Sequence, residues 1–152
     1  MAPISINGSG TVTGISVGGL PDGTITGAEL NGAQTGSAPI YGCRAWVNFD
    51  GTRNEADTGA STNGANVKIR ASGNVTSVLK NGTGDYTVTF TTAMPDANYC
   101  VVASMGNDAI TPTDTVRTFA SRSLTTSNFR LIGNRTDGTA SDQAICCTSI
   151  FR

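Results

Sequence analysis

From Cys43 to the last residue, apolar side chains return at every second position, in short runs divided by turn-forming residues. "CRAWVNF" sets Cys43, Ala45, Val47 and Phe49 on one face and Arg44, Trp46 and Asn48 on the other. "NVKIRAS" groups Val67, Ile69 and Ala71, and "YTVTF" groups Tyr86, Val88 and Phe90. A period of two belongs to half-buried antiparallel strands, because successive side chains leave a pleated strand on opposite sides. "YCVVASM", "TVRTFAS", "NFRLIG" and "AICCTSIF" continue the series. Turn chemistry separates the runs at Asn63-Gly64, Asn81-Gly82, Pro95-Asp96, Asn107-Asp108 and Asp137-Gly138. No helical period interrupts them. About eight short strands at this spacing predict an all-β, antiparallel β-sandwich or jelly-roll-like knob. The stretch from Asp50 to Ala65 lacks alternation and reads as an exposed loop.

Residues 1–40 differ in kind. Ile, Val and Leu are scattered among Gly, Ser and Thr, with no aromatic side chain and only two acids. Such short apolar groups cannot close a core alone, so this segment is expected to order against another surface. "TGSAPIYG" follows as a linker, with Pro39 restricting the residue before it. The division predicted is an extended attachment segment, 1–40, and a β-sandwich knob, 41–152.

Composition excludes several classes of function. The chain has 152 residues, room for one domain with a short appendage. Only 38% are hydrophobic and 14% charged, while 19 are glycine, a share well above the usual level of about 7%. The net charge is −1 and the ten Lys and Arg residues form no stripe, so phosphate neutralisation has no footprint and nucleic acid is not an expected partner. No run is apolar enough to insert in a membrane, and "MAPISINGSG" lacks the regions of a cleaved signal, which points to synthesis in a cytosol. The four cysteines match neither a zinc site nor a redox pair and are expected to be reduced, buried or half-buried hydrophobes. Adjacent Cys146 and Cys147 point to opposite sides of a strand and do not bridge readily.

The chain contains no histidine. Gly14-Ile15-Ser16-Val17-Gly18 has the spacing of a nucleophile elbow, but the usual base is missing and no helix follows. The glycine clusters meet neither the dinucleotide nor the P-loop pattern and read as turns. Asp50, Glu55 and Asp57 share one stretch, and Ca²⁺ favours loop oxygens of this kind; without EF-hand spacing, an ordinary solvated loop is the simpler reading. A glycosidase would need Asp85 or Asp96 brought to Asp108 or Asp114, all in turn contexts where Asp serves the turn itself. No catalytic residue, metal or cofactor is expected. Asn-X-Thr triplets at Asn74, Asn81 and Asn134 read as hairpin chemistry.

Four side chains are candidates for surface contact. Trp46 lies opposite the Cys43–Phe49 set, which suits a second packed face or a subunit interface better than a sugar-stacking platform. Arg117, Arg122 and Arg130 flank apolar strand residues and either pair with neighbouring subunits or solvate an outer face.

"AWVNFDGT", "IRASGNVTSVLKNGTGDYTVTFTTAMPDANYCVV" and "CCTSIFR" closely resemble the C-terminal knob domain of tailed-bacteriophage fibre and virion-surface proteins, particularly those of marine phages and cyanophages. "SINGSGTVTGISVGGLPDGTITGAEL" resembles segments that precede that domain. The resemblance covers most of the chain. It implies a virion structural protein on the particle surface, a homotrimer with a β-knob, touching other virion proteins through residues 1–40 and a host cell-surface glycan or protein through the knob. It supplies no catalytic residues. A short tail-fibre-like role leads, a capsid decoration or head-fibre role follows, and a tailspike-like depolymerase is the alternative from another class. The chain departs from long tail fibres in having no repetitive shaft.

Overall fold

The computed structural model describes residues 42–106 and 117–152. Eight strands follow in order: β1 (Cys43–Asn54), β2 (Val67–Gly73), β3 (Val75–Gly82), β4 (Asp85–Phe90), β5 (Cys100–Gly106), β6 (Arg117–Arg122), β7 (Asn128–Arg135) and β8 (Ile145–Phe151). They form two four-stranded antiparallel sheets, β2-β1-β8-β5 and β3-β4-β7-β6, which make a β-sandwich. The predicted segment 1–40 and the turn at Asn107-Asp108 lie outside the described residues. No helix of the described residues is long and apolar enough to cross a membrane.

The inward positions of both sheets meet in one core. Ala45, Val47 and Phe49 of β1 and Cys146 and Ile150 of β8 face Val78 of β3, Tyr86, Val88 and Phe90 of β4, and Phe129 and Leu131 of β7. Edge-to-face ring contacts join the layers: Phe49 to Tyr86 at 5.1 Å and Phe90 to Tyr99 at 5.6 Å between centroids. Such pairs contribute beyond the area they bury. The strand alternation read from the sequence is therefore the alternation of core and surface.

Three irregularities shift that alternation and correct the expected faces. A register shift between Cys43 and Ala45 leaves Cys43 exposed and paired with Phe151, not inside with Val47 and Phe49. A second shift pairs Asn48 with Ala71 but Phe49 with Ile69, so Ala71 is exposed while Val67 and Ile69 reach the core. A β-bulge does this by inserting one residue, which moves later side chains to the other face. The third lies in β3, between Val75 and Ser77. Val75 and Val78 both point inward as a result, and Lys80, two residues on, is carried inward with them.

The expected loop from Asp50 to Ala65 is also corrected. β1 runs on to Asn54, and Asp50 and Gly51 are buried. Only the part beyond Asn54 is a connection. The turns at Gly64 and Gly138 adopt left-handed φ of 80° and 82°, as Asn-Gly and Asp-Gly turns require. The β3–β4 hairpin turns at Thr83-Gly84, one step beyond the Asn81-Gly82 signal. Asn74, expected in a hairpin, is instead the single residue between β2 and β3, where the chain changes sheets. Its φ is 57°, and its side chain accepts from Thr92 N and donates to Arg44 O and Thr92 O, which ties the corner.

Candidate functional site

Lys80 is the first group to require an account, because a lysine is almost never buried without a partner. It is 5% exposed. Nζ meets Asp142 Oδ2 at 2.5 Å and donates to Ser61 Oγ at 2.9 Å, and Ser61 in turn donates to Gly51 O. The other oxygen of Asp142 accepts from Gly84 N at 2.8 Å and Tyr86 OH at 2.6 Å. One carboxylate in the β7–β8 connection thus fastens β3, the β3–β4 turn and β4. Burial opposes ionisation of Asp142, but the Gly84 amide, Lys80 and Tyr86 outweigh it, and its carboxyl titrates below the ordinary range. Tyr86 is pushed far above its ordinary value, first by burial and then by its bond to Asp142, so it stays a neutral donor.

A second ionic group closes the same end of the sandwich. Asp50 Oδ2 accepts from Arg70 at 2.7 Å and its Oδ1 accepts from Thr52 N and Oγ1, while Arg70 also donates to Ala144 O. Asp57 pairs with Arg53 at 3.3 Å. Of the acids weighed as a cation loop, Asp50 lies in a strand and is already bound to Arg70 and Thr52. Among the described residues no three His, Cys, Asp or Glu side chains gather as a metal site. Asp85 and Asp96 are gripped by Arg130 and Arg152 respectively. Asp108 and Asp114 lie outside the described residues.

All four cysteines are free thiols, but they are not uniformly buried as expected. Cys146 is enclosed, and burial raises its pKa to about 12, which removes thiolate chemistry at neutral pH. Cys43 and Cys100 are exposed and pair with Phe151 from its two sides. Two strand spacings, roughly 10 Å, separate their backbones, too far for a bridge.

The candidate contact residues fall on opposite sheets. Trp46 stands on the outer face of the sheet β2-β1-β8-β5, 43% exposed, with its indole against Gly73, where a Cβ would lie 2.5 Å from Nε1. The row across this face reads Gly73, Trp46, Ser149, Val102, and the next reads Ala71, Asn48, Cys147, Ser104. Neither row holds a charge. Val102 and Ile145 are 57% and 38% exposed on the same sheet. Between β5 and β8 lies a furrow of about 140 Å³ lined by Val102, Ala103, Ser104, Cys147, Thr148 and Ser149. A wider concavity of about 370 Å³ at the strand ends is lined by Asn98, Cys100, Phe151 and Arg152. Lys80, Tyr86 and Asp142 line neither.

Arg117, Arg122 and Arg130 belong to the other sheet. Arg117 faces Arg135 and is half-buried; Arg122 faces Arg130 and is exposed. Arg130 donates through Nε to Asp85 Oδ1 at 2.6 Å and through its second nitrogen to Oδ2. The bond to Arg130 lowers the pKa of Asp85 most, and Arg122 adds to the effect.

Sequence reasoning missed Lys80, Tyr86's hydroxyl and Asp142. A signal for Lys80 exists, since it follows Val78 at the inward period and so demands a carboxylate. Nothing local says that the carboxylate is Asp142. No family model, curated protein or solved structure matches this chain.

Proposed function

We propose that this chain is a structural protein of a tailed-bacteriophage virion, a short homotrimeric fibre that displays residues 41–152 as a knob and attaches to other virion proteins through residues 1–40. It acts by contact and not by catalysis, and it needs no cofactor. The virion part of this reading rests on the resemblance carried by "GNVTSVLKNGTGDYTVTFTTAMPDANY" and "CCTSIFR". The assembly part rests on one observation: two uncharged rows at the centre of one sheet face, which leave Trp46 and Val102 in solvent. Water-facing sheets ordinarily alternate to polar side chains, and exposed apolar groups gathered on one face mark a contact surface.

The ionic groups support a contact role rather than a chemical one. Asp50, Asp85, Asp96 and Asp142 each hold a cation of their own domain. A general acid or base must instead face a bound substrate with a hydrogen-bonding site to spare. Loops of the knob would then meet a host glycan or protein.

Antibody-labelled electron microscopy of purified particles tests the reading. Label at a tail tip supports the fibre role, and label over the shell moves the protein to a capsid decoration. Absence of its peptides from washed particles by mass spectrometry overturns the virion reading altogether.

A further inference from the structure

The two halves of the uncharged face differ in relief. On the β2–β1 half, the Trp46 indole lies over Gly73 as a low ridge. On the β8–β5 half, the furrow between Val102 and Ser149 is a shallow groove. At about 140 Å³ the furrow is smaller than the ~300–1,000 Å³ of small-molecule pockets, and it suits a single side chain. It is bordered by Ser149, Cys147 and Val102, with no charged group among its lining residues.

We propose that the occupant of this face is a further copy of the same chain, with the Trp46 ridge of one copy packed along the β5–β8 furrow of the next. This rests on the homotrimeric reading above and assigns it a surface. Three features single out self-association. Ridge and furrow lie side by side on one sheet, so copies arranged about an axis near β8 present the ridge half of each to the furrow half of its neighbour. That is the closed heterologous contact that generates a ring. Next, the centre of the face is uncharged, so copies approach without like-charge repulsion, whereas a partner that binds through ion pairs finds nothing there to hold. Finally, Trp is among the residues most enriched where contacts between proteins concentrate their energy, and Trp46 stands at the centre of this face.

A sugar would fit less well. Carbohydrate platforms set an aromatic face beside several hydrogen-bonding side chains. Here the indole nitrogen edge rests on Gly73, and its cross-strand neighbours are Gly73 and Ser149.

The test uses the full chain and Val102→Lys, which puts a charge at the furrow rim on a side chain already 57% exposed and so leaves the fold intact. Ala120→Lys, exposed on the outer face of the other sheet, is the control. Native mass spectrometry and light scattering give the assembly state, and circular dichroism confirms that each variant is folded. Trp46 is the chain's one tryptophan, so its emission reports on this face directly. The wild type and Ala120→Lys are expected as trimers with blue-shifted emission. Val102→Lys is expected to dissociate at least 100-fold more readily, with emission shifted to the red. A wild-type trimer that Val102→Lys leaves unchanged, in mass and in emission, overturns the assigned face while homotrimerisation stands. A wild-type monomer overturns both. A monomer whose Trp46 emission responds to purified host polysaccharide replaces this proposal with a sugar platform.

Discussion

On the outer face of β3-β4-β7-β6, Arg130 grips Asp85, Asn81 donates to both Asp85 and Thr87, and Thr76 donates to Thr91. On the outer face of β2-β1-β8-β5, the row from Gly73 through Trp46 and Ser149 to Val102 carries neither charge nor amide. The β3-containing sheet also holds Lys80 and Tyr86, which turn inward and meet Asp142. The first sheet therefore bonds polar groups across the middle of its outer face. The second keeps its ion pair, Asp50 with Arg70, toward one end of the sandwich and leaves Trp46 and Val102 in water at its centre. The difference teaches how two sources of stability would be told apart: internal bonds act at any protein concentration, whereas burial against another molecule depends on it.

Asp142→Asn is the sharpest way to break this comparison. Removing one member of an enclosed ion pair strands the other, which costs about 3 kcal/mol at the lower end of such cases. The lower end applies because the Asp142 side chain keeps 21% of its exposure. Urea denaturation should show that loss equally at low and high protein concentration. A loss that grows with dilution would place the network in a contact between molecules and erase the distinction between the sheets.

Gly84→Ala should cost about 2 kcal/mol, because a left-handed φ strains any side chain. At Gly84 φ is 67°, and an added Cβ would lie 2.4 Å from Gly133 O and 2.9 Å from Ser141 N. The same residue also supplies the N–H that Asp142 accepts. Gly138→Ala is the matched control: its φ is 82°, but nothing lies within 4 Å of the added atom. Thermal unfolding should rank Gly84→Ala well below Gly138→Ala. Equal losses would mean that φ alone governs both sites and that the packing of the β7–β8 connection over Gly84 contributes little.

How far these features are legible in the sequence depends on their range. The strands are legible, because alternation is a local property and survives into the fold at Tyr86, Val88 and Phe90. Turn glycines are legible where Asn or Asp precedes them, as at Gly64 and Gly138. The bulges at Arg44 and Arg70 are not, because an extra residue is tolerated or rejected by the partner strand: for Arg44 that is β8, about a hundred residues away in sequence order, and for Arg70 it is β1, across a long connection. Cys43 and Ala71 were misplaced for that reason alone. The extension of β1 through Asp50 was hidden because its buried residues, Asp and Gly, are not apolar. The outward placement of Trp46 is legible from its parity, but the furrow that faces the same side is made by two strands that no local pattern pairs.

Acidification should separate the sheets by a smaller margin. The folded-state pKa of Asp142 lies below its ordinary value, so its contribution is fully present above about pH 4, the unfolded value, and fades as pH falls through the folded one. Tyr86, which also faces it, is pushed far above its ordinary value and remains protonated across this window. Thermal unfolding measured from pH 7 down to pH 2 should therefore lose stability at the acid end, and Asp142→Asn should flatten that part of the curve. A wild-type profile that Asp142→Asn leaves unchanged would assign the acid sensitivity to other carboxylates, with Asp85 the first to examine because its pKa is lowered too.

The smallest effect expected is that of Asp85→Asn, and its smallness is informative. Arg130 holds Asp85 through two nitrogens, the geometry that makes guanidinium–carboxylate pairs strong. Yet the Arg130 side chain is 44% exposed, and water and salt screen a pair so placed. Asparagine keeps one acceptor oxygen for Arg130 and removes the charge, leaving Arg122 and Arg130 on facing positions without the acid between them. The midpoint of unfolding should move by about 2 °C or less at low ionic strength, and the difference should shrink in roughly 0.5 M salt as the Debye length contracts. That outcome keeps this face solvated, in contrast to the face of Trp46 and Val102. A drop as large as that of Asp142→Asn, insensitive to salt, would mean that Asp85 is shielded from water in the working protein. The Arg130 face would then itself be a contact surface, and the asymmetry between the two sheets would disappear.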